Sequence, residues 1–214
     1  CSLCCTTKLW VTSIEAEYIF KNLSGSVPPV DNLIYPRPKT THNQLALLYF
    51  SGEEPKETVE EEGVAPCPFL TEENLCKIYD QRPVICRILA SFEKCSPVSS
   101  ALVSEELYLM GIIALQIVEN IDIGGLYGNL FDFLKFFKEQ REGKLEEVPS
   151  YLLSTVEFEE LPLMPEEKPL RTWVGKLYRK KVRNDQTFRD LLEEIKERFK
   201  AQKRLSFLSE IYGE

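Results

Sequence analysis

Cys67-Pro68-Phe69-Leu70-Thr71-Glu72-Glu73-Asn74-Leu75-Cys76-Lys77-Ile78-Tyr79-Asp80-Gln81-Arg82-Pro83-Val84-Ile85-Cys86-Arg87 is the stretch on which the reading of this chain turns. Two apolar pieces, 67–70 and 75–79, flank a polar turn at 71–74, which predicts a small β-hairpin. Pro83 suits the first position of a helix, so a short helix is expected to carry Cys86 and Arg87. Three thiols then arrive from separate local elements: one from each arm of a hairpin and one from a helix.

Working outward, Cys1, Cys4 and Cys5 precede this stretch and Cys95 follows it. All seven cysteines lie in the first 95 residues and none in the remaining 119. Thiols gathered in one part of a chain point to a local task, and the task thiolates perform together is holding a soft metal or an iron–sulfur cluster. Cys1-x-x-Cys4 has the short spacing that lets two sulfurs reach one centre. Cys4 and Cys5 are adjacent, so in an extended segment their side chains point to opposite faces. One of them can serve a centre while the other packs as an inert thiol, and the same bland reading applies to Cys95. The candidate metal residues are therefore Cys1, Cys4, Cys5, Cys67, Cys76, Cys86 and Cys95. A secreted disulfide framework fits poorly, because the count is odd and two cysteines are neighbours. A reducing, cytoplasmic setting is expected. The sequence opens on Cys1 with no Met before it, which reads as a truncated start, with a lipidated N-terminal Cys as the alternative.

At 214 residues and 43% hydrophobic content the chain has enough apolar material for an ordinary core without disulfides. Its longest apolar run, Leu107 to Ile123, contains Gln116, Glu119 and Asp122 and is too short and too charged to cross a bilayer. The net charge of −8 is unevenly spread, at −13 over residues 1–170 and +7 over 171–204. Such a basic segment can meet an acidic protein partner. Solvated helices with long cationic side chains are the expected reading, and nucleic acid is not expected.

Thr12 and Glu15 have the spacing of a capping box ahead of a helix that Ile19, Phe20 and Leu23 make amphipathic. Residues 24–66 read as loop, with an apolar island at 44–50 that is helix or strand. Ser104 is an expected N-cap for a helix through Ile121, apolar enough to lie at the centre of the core. Gly124 and Gly125 break it. Leu126, Leu130, Phe133, Leu134 and Phe137 then recur at helical spacing. Pro162, Pro165 and Pro169 mark a linker. Two amphipathic helices close the chain, the second with Asp185 as its expected cap and Glu194–Arg198 as an i,i+4 pair. His42, the only histidine, is expected on the surface, so a Cys/His zinc finger or a Ser/His or Cys/His catalytic pair would rest on one residue. Gly124 to Gly128 has neither the spacing nor the lysine of a P-loop.

Cys1-x-x-Cys4-Cys5, Val11-Thr12-x-x-Glu15-Ala16, Cys67-Pro68-Phe69-Leu70, Cys76-Lys77-Ile78-Tyr79, Arg82-Pro83 and Cys86-Arg87, in that order, resemble the YkgJ-type cysteine-cluster family. The resemblance covers about the first 95 residues. It implies a zinc- or iron-chelating domain. The family includes flagellin lysine N-methylases of the FliB type, thought to carry an iron–sulfur cluster.

The expected fold is α+β and predominantly α, with a small cysteine-cluster module and its hairpin (residues 1–98) packed on a helical bundle (99–214). The expected cofactor is an iron–sulfur cluster, of the 4Fe–4S type: the resemblance implies it, and the intervals 67–76, 76–86 and 86–95 lack the paired C-x-x-C knuckles of zinc ribbons. Zinc in a structural site is the alternative. A protein-lysine N-methyltransferase using S-adenosylmethionine is the enzymatic alternative that the resemblance leaves open. Arg82 and Arg87 are expected to offset the negative charge of a thiolate-rich centre.

Overall fold

The structure is a computed structural model. It describes residues 2–23, 27–30, 32–54, 63–89, 91–96, 101–144, 147–158 and 161–212, the side chains of Phe199 and of 202–212 excepted. Cys1 and the acidic stretch 55–62 lie outside the described residues.

Two strand-to-helix units sit side by side at the heart of the molecule. In the first, β1 (Trp10–Thr12) runs directly into α1 (Ser13–Asn22). In the second, β2 (Leu126–Asn129) runs directly into α5 (Leu130–Arg141). The strands pair antiparallel, Trp10 opposite Asn129 and Thr12 opposite Tyr127, and β3 (Leu153–Ser154) adds to the far side of β2. The paired strands bring α1 and α5 together, and between them lies the larger apolar cluster. Leu130, Phe131, Phe133 and Leu134 are wholly buried there, joined by Val11, Ala16, Ile19, Phe69 and Ile78. The fold is α+β with helix predominant and small antiparallel sheets.

Thr12 is the N-cap of α1, and Glu15 returns a carboxylate oxygen to its backbone N–H at 3.2 Å, as the sequence predicts. Asn129 caps α5 by accepting from the Phe131 N–H at 3.0 Å. The island at 44–50 belongs to α2 (His42–Ser51), capped by Thr41, whose hydroxyl accepts from the Gln44 N–H at 2.9 Å. α4 (Glu105–Ile121) starts at Ser104 as expected, but it does not sit at the centre of the main core. It contributes Ile113 and Ile117 to a second, smaller cluster with Leu170, Val174 and Leu192. Gln116, Glu119 and Asn120 within it and Asp122 at its C-cap are buried, and the two carboxylates are used as caps. Glu119 accepts from the Asn43 N–H at 2.9 Å at the start of α2. Asp122 accepts from the Ser13 hydroxyl at 2.5 Å and the Ile14 N–H at 3.2 Å at the start of α1. An acidic group at a helix N-terminus is electrostatically favourable, which offsets part of its burial.

Three other expectations are corrected. Leu126 belongs to a strand, not to the following helix; four residues reading Leu-Tyr-Gly-Asn are too few to show alternation. The prolines at 162, 165 and 169 do not mark a loose linker. Leu161 and Leu163 pack on the second cluster, and Pro165–Leu170 is a 3-10 helix leading straight into α6 (Arg171–Arg179). Asp185 does not cap the last helix, α7 (Phe188–Tyr212). It lies in the turn between β4 (Lys181–Arg183) and β5 (Gln186–Thr187), and the cap is Thr187, whose hydroxyl accepts from the Asp190 N–H while Asp190 accepts from the Thr187 N–H. The Glu194–Arg198 ion pair is present.

Candidate metal centre

Three chain segments deliver thiols to one place, and each is fixed by backbone bonds. The N-terminal segment runs against residues 65–67: Thr6 bridges Pro66, the Cys67 N–H donates to the Cys5 carbonyl at 2.9 Å, and the Thr7 N–H donates to the Ala65 carbonyl at 2.8 Å. The buried Thr7 hydroxyl accepts from the Ala65 N–H at 3.0 Å and donates to the Ile34 carbonyl at 2.9 Å. Asn129 adds a bond from its amide to the Thr7 carbonyl at 2.8 Å, so the residue that caps α5 also holds the strand of Cys5.

The second segment is the predicted hairpin, reduced to a single bridge between Leu70 and Cys76. Its arms exchange Thr71 N–H to Leu75 carbonyl and Lys77 N–H to Phe69 carbonyl, both at 2.8 Å, and Asn74 turns the chain with φ of 62°. Phe69 and Ile78 face the core, which leaves Cys67 and Cys76 half-buried at its edge.

The third segment is α3 (Val84–Ile88), of which Pro83 is the N-cap and not the first helical residue. Glu15 straps it to α1, one carboxylate oxygen accepting from the Val84 N–H at 2.8 Å and the other from Thr12. Behind α3, Ile88 packs on Gly111 of α4 so closely that a Cβ at 111 would stand 2.7 Å from an Ile88 methyl. Glycine is what allows the two helices that close an approach.

Within this frame Cys5, Cys67, Cys76 and Cys86 feel one another's charge. Burial pushes the Cys86 thiol up to about 12, and the thiols of Cys67, Cys5 and Cys76 push the same way. Burial likewise raises Cys67 to about 11, opposed by an N–H bond from Phe69 to its sulfur and aided by Cys76 and Cys5. Cys5 is raised by burial first, then by Cys4 and Cys76. The Arg82 guanidinium opposes the shift at both Cys5 and Cys86. It stacks 3.5 Å from the centre of the Tyr79 ring and donates to the Tyr79 carbonyl at 2.9 Å. Arg87 acts one step back, donating to the carbonyls of Arg82 at 2.9 Å and Asp80 at 2.8 Å.

Of the seven candidates, then, Cys5, Cys67, Cys76 and Cys86 are brought into one electrostatic neighbourhood. Cys4 reaches it only through its neighbour Cys5. Cys95 is half-buried in the loop after α3 and is not among the charges felt by the other thiols. Among the described residues, no three Cys, His, Asp or Glu side chains stand close enough to hold a metal ion without moving. His42 is not a surface residue. Its ring meets Tyr127 edge-on at 5.6 Å, and burial lowers it to about 4. It serves the second end of the sheet and not the thiol site.

Sequence reasoning missed the supporting residues. Asn129, just before an apolar helical run, could have been read as an N-cap. Gly111, alone inside an apolar helix, is the usual mark of a close backbone approach. Asp132 carries no such mark, yet it is 1% exposed and accepts from Tyr35 and twice from Arg37, each at 2.9 Å, which fixes the loop of residues 32–38 over α5.

Among the described residues no helix is long and apolar enough to cross a membrane. No curated protein and no solved structure matches the chain. A family model does, over residues 1–101: CxxCxxCC, described as a putative zinc- or iron-chelating domain. The matched span contains all seven cysteines, the hairpin and α3, together with the α1 cap that holds α3 in place. Residues 1–101, just under half of the chain, thus match a cysteine-cluster domain described as zinc- or iron-chelating.

Proposed function

We propose that Cys5, Cys67, Cys76 and Cys86 bind an iron–sulfur cluster, of the 4Fe–4S type, and that the protein is a binding or electron-transfer protein built around it. The observation that carries this reading is the delivery of four thiols by three rigid chain segments into one neighbourhood with a single guanidinium, Arg82, beside them. Four sulfurs match the ligand number of such a cluster, and the wide, unpaired intervals in the chain suit it better than a single zinc.

The residues present fit the group chemically. Burial first, then the neighbouring thiols, favour the protonated form of Cys86, Cys67 and Cys5; a metal cation among them offsets that penalty and releases their protons. Arg82 offsets part of the remaining negative charge. The Phe69 N–H directed at the Cys67 sulfur is of the kind that tunes a cluster's potential. When bound, the cluster supplies one-electron transfer. Glu15 and Gly111 do not touch it but hold α3, and so Cys86, in position.

Anaerobic purification followed by metal analysis and Mössbauer spectroscopy tests this. The expected result is a brown protein with roughly four iron and four sulfide per chain, as the cluster type requires. Cys76→Ser should lose the metal, and Cys5→Ser should lose it while Cys4→Ser retains it. A colourless protein holding stoichiometric zinc, prepared from iron-replete cells, refutes the cluster and leaves zinc as the metal.

A further inference from the structure

A cleft in the C-terminal half plays no part in the thiol site. It has a volume of about 840 Å³ and lies between α4, the segment 161–170, α6 and α7. Five of the side chains lining it are cations, Lys168, Arg171, Arg179, Arg189 and Lys196, against one carboxylate, Glu193. Helical spacing puts them there: Arg171 and Arg179 share one face of α6 across Gly175, and Arg189 and Lys196 share one face of α7. The basic bias of residues 171–204 is thus not spread evenly over solvated helices.

Pairing separates these cations from their neighbours. The outward-facing Lys181, Arg198 and Lys200 each pair with a carboxylate three or four residues away. Lys168, Arg171, Arg179 and Lys196 have no such partner among the described residues. Lys196 is the telling one, because it is only 8% exposed and lines the cleft. Its stem is covered while its ammonium, with no carboxylate partner among the described residues, is available to an anion entering the cleft. The rest of the wall is mostly apolar, with Ile117, Leu163, Val174 and Leu192 beside Tyr178, and Asn120 and Thr172 as its uncharged polar members. The cleft therefore offers cationic and apolar groups together, within the size range of small-molecule sites.

We infer that this cleft binds a small phosphorylated molecule with an apolar or aromatic body, its phosphates meeting Lys196 and the arginines of α6. Titration calorimetry on the full chain as purified with its metal, using magnesium-free ATP, pyrophosphate, adenosine and a short oligothymidylate, tests it. ATP should bind, pyrophosphate should bind more weakly, and adenosine should bind weakest. Lys196→Met should lower ATP affinity by about tenfold or more, the scale of one charge-assisted hydrogen bond, while Lys196→Arg keeps most of it. Because Lys196 is buried, the exposed pair Arg171→Gln/Arg179→Gln serves as a second probe and should cause a similar loss with bound metal unchanged. The inference is overturned if neither ATP nor pyrophosphate binds at millimolar concentration, if both sets of variants bind ATP like the parent, or if the oligothymidylate binds more tightly than ATP.

Discussion

The larger apolar cluster and the smaller one are held together by different forces. Around the first, buried polar groups tie distant parts of the chain with directional bonds: Asp132 to Tyr35 and Arg37, Asn129 to Thr7 and Pro36, Glu15 to Val84, Asp122 to Ser13. Around the second, α4, α6 and α7 meet through Ile113, Ile117, Val174 and Leu192, and the side-chain bonds described on α6, α7 and their connections are local caps and pairs. Apolar contact is non-directional, whereas a hydrogen bond fixes both partners in distance and angle. The thiols are mounted on the region whose geometry is over-determined, which is what a ligand set needs. The cleft lies in the region where apolar contact does most of the holding and one long-range bond, from the Phe158 N–H to Asn120, reaches its wall.

Breaking that contrast at its strongest point should have the largest effect. Phe131→Ala empties a wholly buried ring from the first cluster and should destabilise the protein by about 3–5 kcal/mol. Urea unfolding followed by far-UV dichroism measures it, and bound metal should be lost together with structure. If the metal stays on while the helical signal falls, the thiol site does not depend on this core. Gly111→Ala is a finer probe, since the added methyl collides with Ile88 behind the helix of Cys86. Overpacking of this kind costs about 1–3 kcal/mol, and metal retention should fall with it. An unchanged metal content would show that α3 can shift without disturbing its thiol.

The third probe uses pH. Folded His42 stays neutral down to about 4, whereas the unfolded side chain takes up a proton near 6.5. The unfolded state therefore binds more protons within that window, and this contribution to stability is present above pH 6.5 and lost as pH falls towards 4. Glu15 and Glu119, both raised by burial, act in the opposite sense, so the comparison must be between parent and variant. His42→Gln should flatten the acid-side decline by no more than about 3 kcal/mol. Equal slopes in urea midpoint against pH for the two proteins would remove His42 from the account. The smallest effect belongs to the outer face of the second region: Arg198→Ala breaks an exposed i,i+4 pair and should change stability by only about 0.3–0.5 kcal/mol. A larger loss would mean that α7 is more firmly anchored than its described contacts indicate.

Much of this was readable from local chemistry. The hairpin at 67–79, the caps at Thr12 and Ser104 and the family-type order of the cysteines all depend on residues a few positions apart. What was not readable depends on distance. Leu126 looks helical until Trp10–Thr12 arrives to pair with its strand. Asp185 looks like a cap until the β4–β5 turn takes it and Thr187 assumes the role. Cys4 and Cys5 are equivalent in the sequence, and only the pairing of Cys5 with Cys67 distinguishes them. His42 sits in a polar stretch, and nothing nearby in the chain announces Tyr127, which comes 85 positions later.

The clamp of the Cys5 carbonyl by the Cys67 N–H has a consequence for timing. That bond, the Thr7 bonds beside it and the β1–β2 pairing use only backbone and uncharged side chains. None of them waits for a metal. The scaffold can therefore form first and the thiols close on a metal afterwards, unlike small zinc modules whose folding begins with the ion. On the proposed reading the order of assembly is scaffold before cargo, and the thiols make their final approach only when the cargo arrives.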